Sequence, residues 1–169
     1  MATTFSGNIT ISVNAVLRDD LDLSDPADIA QFLHKFTLTD GAGANQCNQM
    51  WHDQRTLAAS ATENLDLSGS LTNQYGTSVV FARVKGLFVL NASAIATITL
   101  RGAAANGWST MFQVSANPLI LQPGAPFVNY APNATGYLVT AGTGDTFRVN
   151  NNDGSNSATY DILIIGSTT

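Results

Sequence analysis

Few side chains in this 169-residue chain could carry acid–base, nucleophilic or metal chemistry: two histidines, His34 and His52, one cysteine, Cys47, and one glutamate, Glu63. His52 and Asp53 are adjacent, but neighbouring side chains on a strand point to opposite faces, so they cannot form a dyad there. No serine sits in a G-x-S-x-G elbow. Cys47 and His52 could share a metal only with further ligands, and no other candidate stands at ligand spacing. Asn150-Asn151-Asn152-Asp153-Gly154 looks like a calcium loop, yet aligning Gly154 with the loop glycine puts Val149 where an acid is required. A hairpin turn is the better reading. Gly41-Ala42-Gly43 and Gly142-Thr143-Gly144 do not open a helix after a strand, so neither cradles phosphate. The sequence therefore predicts no catalytic residue, no metal site and no cofactor.

One ligand class remains. Trp51, Tyr75, Trp108, Tyr130 and Tyr137 could stack on a glycan if they converged at one rim of the fold. Nucleic acid is not expected as a direct ligand, because seven basic residues are scattered singly in a chain of net charge −5. No apolar run reaches membrane-spanning length, and Met1-Ala2-Thr3-Thr4-Phe5-Ser6 has neither the basic nor the apolar region of a signal peptide. A lone cysteine makes no internal disulfide, in keeping with assembly in a reducing cytoplasm. Charged residues make up only 11% of the chain against 44% hydrophobic, so much of the surface must be neutral amide and hydroxyl. Such a surface loses little on desolvation, which suits a protein packed against others.

The elements that would position these residues are strands. Ile9-Thr10-Ile11-Ser12-Val13-Asn14 alternates apolar and polar, and Ile98 and Leu100 alternate with Thr97, Thr99 and Arg101. Further strand-like runs are 55–61, 65–67, 79–90, 110–114, 119–121, 126–130, 137–140, 146–150 and 159–165, separated by turn signals such as Pro123-Gly124 and Asp153-Gly154. Many short strands at this spacing predict an all-β, antiparallel β-sandwich, with jelly roll the expected form. One helix is expected: Asp25-Pro26 resembles an N-cap with proline at the first helical position, and Ile29, Phe32, Leu33 and Phe36 follow at i, i+3, i+4 and i+7. A strand over 33–38 is the rival. On this reading residues 1–35 form a strand or arm with a short helix, packed on a sandwich domain spanning 36–169.

The run 79–90 is apolar on both faces. Period two assigns Val80, Ala82, Val84, Gly86, Phe88 and Leu90 to the core and points Val79, Phe81, Arg83, Lys85, Leu87 and Val89 outward. Likewise Tyr160, Ile162 and Ile164 share one face of the last strand, with Asp161, Leu163 and Ile165 on the other. A strand apolar on both faces must be covered twice. Either the N-terminal segment of the same chain covers it, or Val79, Phe81, Arg83, Lys85, Leu87, Val89, Leu163 and Ile165 form a subunit interface, most simply in a homotrimer.

Several stretches resemble small structural proteins of tailed-bacteriophage and prophage virions. They are Thr39-Asp40-Gly41-Ala42-Gly43-Ala44-Asn45-Gln46, Trp51-His52-Asp53 with Arg55-Thr56-Leu57-Ala58, and Leu65-Asp66-Leu67-Ser68-Gly69-Ser70-Leu71-Thr72. Pro132-Asn133-Ala134-Thr135-Gly136-Tyr137, Thr140-Ala141-Gly142-Thr143 and the closing Thr159-Tyr160-Asp161-Ile162-Leu163-Ile164-Ile165-Gly166 continue the likeness over residues 36–169. The resemblance implies a virion protein, with a β-sandwich fold, that decorates or cements the head. Its partners would then be the major capsid protein and copies of itself, the cement type commonly being a trimer. A tail, fibre or head-spike module binding host glycan is the alternative. No functional residue is carried over by the resemblance.

Overall fold

The computed structural model describes residues 4–112 and 117–169, and among them it contains fourteen strands and no helix. The chain opens with β1 (Gly7–Arg18) and β2 (Ala27–Asp40), followed by β3 (Gln46–Cys47), β4 (Gln49–Leu57) and β5 (Thr62–Asp66). Next come the short pair β6 (Leu71–Thr72) and β7 (Ser78–Val79), then β8 (Arg83–Asn91), β9 (Ile98–Gly102) and β10 (Leu119–Leu121). The last four are β11 (Pro126–Tyr130), β12 (Tyr137–Leu138), β13 (Thr146–Asn151) and β14 (Ala158–Ser167). All ladders between these strands are antiparallel except the two-residue pairing of β2 with β3.

Two sheets carry the core. One has the order β11-β8-β14-β4, with β12 also pairing β8; the other has the order β10-β9-β13-β5. Their facing sides supply a single apolar cluster that includes Trp51, Leu87, Val89, Ile162 and Ile164 from the first sheet and Leu65, Ile98, Leu100, Phe147 and Val149 from the second. The alternation explains why: in β13, Phe147, Val149 and Asn151 are buried while Thr146, Arg148 and Asn150 are only half-buried. Trp108 closes one end of the core, edge-on to Phe147 at 6.1 Å, with its Nε1–H donating to the Leu138 carbonyl at 2.9 Å.

Two buried asparagines hold the loops at the opposite end. The Asn91 amide donates to the carbonyls of Ala96, Leu121 and Gln122, and the Asn151 amide donates to those of Leu57, Ala58 and Asn156. Each Oδ1 accepts a backbone N–H two residues on, from Ser93 and Asp153 respectively. The Asn150–Gly154 stretch is therefore not a hairpin turn. It carries the chain from β13 in one sheet to β14 in the other, pinned by Asn151.

Three sequence expectations are corrected here. The helix expected to start at Pro26 is absent, because Ile29, Phe32, Leu33 and Phe36 lie in β2, which pairs with β1 without interruption from Gly7↔Leu38 to Arg18↔Ala27. A spacing of i, i+3, i+4, i+7 also places Ile29 and Leu33 on one side of a strand and Phe32 and Phe36 on the other, and the alternating β1 supplies a matched partner. The run 110–114 is not a strand over Thr110–Phe112, which form a turn; its last two residues lie outside the described ones. The run 79–90 is broken between β7 and β8, and a register shift at Ile165/Gly166 pairs these with Gly86 and Val84, leaving Lys85 as a bulged extra residue. A bulge resets the phase, so beyond it Leu87 and Val89 point inward and Phe88 and Leu90 outward.

Phe81 and Val79 are enclosed in the same core. Phe81→Asp should therefore unfold the domain rather than release a partner, since an unpaired buried carboxylate costs several kcal/mol (roughly 3 or more). Urea titration followed by circular dichroism should show that loss, and a wild-type midpoint for this variant would contradict the placement.

Candidate functional site

The N-terminal hairpin is a ribbon that leaves the body of the protein. Every residue from 12 to 35 is exposed, although twelve residue pairs hold the two strands together. Directly paired residues share a face, so one face carries Ile9/Phe36, Ile11/His34, Val13/Phe32, Ala15/Ala30 and Leu17/Asp28. That face is apolar nearly to the tip. The other is mostly polar, with Asn8/Thr37, Thr10/Lys35 and Asn14/Gln31, and carries Leu33 opposite Ser12 and the apolar pair Val16/Ile29 farther out. Val13, Leu17 and Phe32 are 56%, 75% and 59% exposed. The tip is closed by paired backbone bonds between Leu21 and Ser24 and carries Asp19, Asp20, Asp22 and Asp25. Of sixteen large hydrophobic residues exposed among those described, eight lie between Val13 and Leu33. So dense a concentration on one protrusion marks a contact surface.

The root of the ribbon is well held. Ile9, Leu38, Cys47 and Ile165 form a second buried cluster, with Phe5, Phe36, Phe88, Tyr130 and Leu163 packed around it. Phe36 meets Tyr130 edge-on at 4.8 Å, and the Tyr130 hydroxyl donates to Asn45 Oδ1 at 3.1 Å. Beside them the loop 41–46 wraps the ammonium of Lys85, whose Nζ donates to the carbonyls of Ala42, Gly43 and Gln46 at 2.8, 2.5 and 2.8 Å. Lys85 has no exposed surface. Burial lowers its pKa, a thiolate at Cys47 would oppose that, and the positive charge of Arg83 adds to it. Burial likewise pushes the Cys47 thiol up to about 11 against the pull of Lys85, and the Tyr130 phenol up to about 12. Both are held neutral at physiological pH. Gly41 adopts a φ of +131°, and a Cβ there would lie 2.6 Å from Gln46 Oε1, which accepts the Gly43 N–H. The Thr39–Gln46 stretch that carries much of the sequence resemblance is thus a cation-wrapping loop tying the ribbon to the bulge of β8.

Next to the root lies an apolar sheet face. On the outer side of the first sheet the register aligns Met50, Ile165, Gly86 and Tyr130 in one row, His52, Leu163, Phe88 and Val128 in the next, and Gln54, Asp161, Leu90 and Pro126 in a third. The ribbon's root covers the middle of the first row, since Ile165 is buried under it. The other two rows line an open hollow. The only carboxylate facing out of those two rows, Asp161, accepts a 2.7 Å hydrogen bond from Gln54.

The predicted interface set divides accordingly. Val79, Phe81, Leu87 and Val89 point into the core and have no outward side chain to offer, contrary to the period-two reading. Lys85 is enclosed, and half-buried Arg83 donates to the Thr135 carbonyl at 2.9 Å. Leu163 and Ile165 do face outward from the sheet; Ile165 is covered by the N-terminal segment and Leu163 is half-buried beside it. The ribbon face itself was missed, although the alternation of β1 was its signal. The aromatics do not converge: Trp51 and Trp108 are buried, Tyr137 is half-buried against Trp108, and Tyr75 alone is largely exposed at 84%. Glu63 bonds Arg55 at 3.2 Å and accepts the Tyr160 hydroxyl at 2.8 Å, a structural cluster at the sheet margin. Among the described residues no three of His, Cys, Asp and Glu converge as metal ligands.

No protein-family model matches the sequence, and no curated protein matches it significantly. Lys85→Met should leave three carbonyls without a donor and destabilise the protein by about 3 kcal/mol. Urea unfolding measures this, and a loss below about 0.5 kcal/mol would contradict the structural role of the ammonium.

Proposed function

We propose that this chain is a non-enzymatic structural protein of a tailed-phage particle, decorating or cementing the head through its N-terminal ribbon. The observation that carries the reading is the ribbon's apolar face, exposed from Val13 to the tip on an otherwise well-packed domain. A jelly roll is the proposed fold of that domain. Numbering its eight main strands in chain order (β4, β5, β8, β9, β10, β11, β13, β14), one sheet runs 1-8-3-6 and the other 2-7-4-5, an order that supports two nested Greek keys. Viral shells and lectins both use this architecture, so the fold does not choose between them. The ribbon favours assembly. The buried tryptophans deprive a glycan-binding site of its stacking residues and leave Tyr75 alone to serve it.

In this reading the partners are the major capsid protein and other copies of the chain, arranged as a homotrimer on the virion surface. Charge plays a small part, because the ribbon's contact face is neutral until Asp28. The contacts are then apolar and insensitive to salt. Mass spectrometry and cryo-electron microscopy of purified particles should find many symmetric copies on the head. A variant with residues 12–33 replaced by a short turn should keep the domain's stability and bind stripped particles at least ~100-fold more weakly. That figure follows from four apolar side chains at about 1.5–3 kcal/mol each, less ordering costs. Absence of the protein from heads, or undiminished binding without the ribbon, would contradict the proposal.

A further inference from the structure

Resting on the reading of the ribbon as an assembly arm, we infer that its apolar face seats on the outer sheet face of a second copy of this chain, over Phe88, Leu90, Val128 and Leu163. Three observations point to that occupant. The first is continuity: the sheet face already takes the root of a ribbon on its first row, where Ile165 is buried under Ile9 and Leu38, and the bare rows adjoin it. The same chemistry simply continues.

The second is fit. The exposed length of the ribbon, from Ser12↔Leu33 to Arg18↔Ala27, is seven residue pairs, or about 24 Å at roughly 3.4 Å per residue. Beyond the row that the root covers, residues 158–163 of β14 offer an outward face of about 20 Å, enough for the apolar pairs Val13↔Phe32 to Leu17↔Asp28. Both surfaces are neutral where they would meet, apart from Asp161, which is held by Gln54.

The third is stiffness. Past Gly7 neither β1 nor β2 contains a glycine or proline, and their pairing has no bulge. With no such bend the ribbon runs clear of its own sheet, leaving residues 12–35 exposed and its apolar face open to a sheet presented by a neighbour. An arm on one copy and a seat on the next make a head-to-tail contact, which closes into a ring when the rotation permits.

Light scattering after size-exclusion chromatography of the isolated full chain tests this without any particle. Wild type at about 50 μM should have a closed multi-copy mass. Phe32→Asp on the ribbon face and Val128→Asp on the sheet face should each give monomers; both positions are exposed, so the fold is kept. Leu33→Asp, on the opposite side of the ribbon, should leave the mass unchanged. A monomeric wild type overturns the inference while leaving ribbon-dependent particle binding to stand or fall by its own test. An assembly broken by Phe32→Asp but not by Val128→Asp overturns it too, by showing that the arm seats elsewhere.

Discussion

A two-stranded ribbon has no second layer, so the apolar side chains it carries must be covered by something outside it. In this protein that constraint separates two parts of one hairpin. Near the body, Ile9, Phe36 and Leu38 are covered by the sheet and the ribbon is fixed. Beyond Ile11 the same face continues through Val13, Phe32, Ala15 and Leu17 with nothing over it. Twelve backbone pairs keep the ribbon extended, yet each exposed apolar side chain is a standing cost in water and a gain on contact. The domain behind it is a platform for presenting this face.

The platform is built so that the ribbon's root cannot drift. The bulge at Lys85 lets an ammonium enter the loop that follows β2, where three carbonyls of Ala42, Gly43 and Gln46 replace its water. A buried cation of this kind is a weak source of net stability but a constraint on geometry, because the loop must hold three carbonyls on one nitrogen. Tyr130, bonded to Asn45 and set edge-on to Phe36, ties the same loop to β11. The direction in which the ribbon leaves is therefore set by polar contacts as well as by the apolar cluster beneath it.

Much of the domain was legible in the residue pattern. The alternation of β1, β9, β13 and β14, and most of the turns, follow from period two and from Gly, Pro and Asn signals. Two failures are instructive. The apolar spacing of Ile29, Phe32, Leu33 and Phe36 fits a helix, but it equally fits a strand with apolar residues on both faces, and only the matching partner β1 decides between them. The run 79–90 is two strands, not one, and in β8 a single bulged residue inverts which side chains beyond it face the core, so a period-two reading across the whole run gave a wrong interface. No local signal announces such a bulge, since it exists to place Lys85 in a loop forty residues earlier. Of the chemistry-bearing residues, Cys47 is a core residue of the root and Glu63 braces Arg55 and Tyr160, while His34 and His52 are exposed.

The central claim is that residues 12–35 form an arm stabilised by what it docks on, while the two-sheet domain stands alone. Hydrogen exchange on the intact chain measures this most directly, first in dilute solution and then after assembly. The amides of Val13 to Leu33 should exchange rapidly in the dilute protein and gain protection on assembly, with those of β8 and β14 slow in both states. Equal protection of the ribbon and the sheets in the dilute protein would show that the arm is stable without a partner, and would contradict the account.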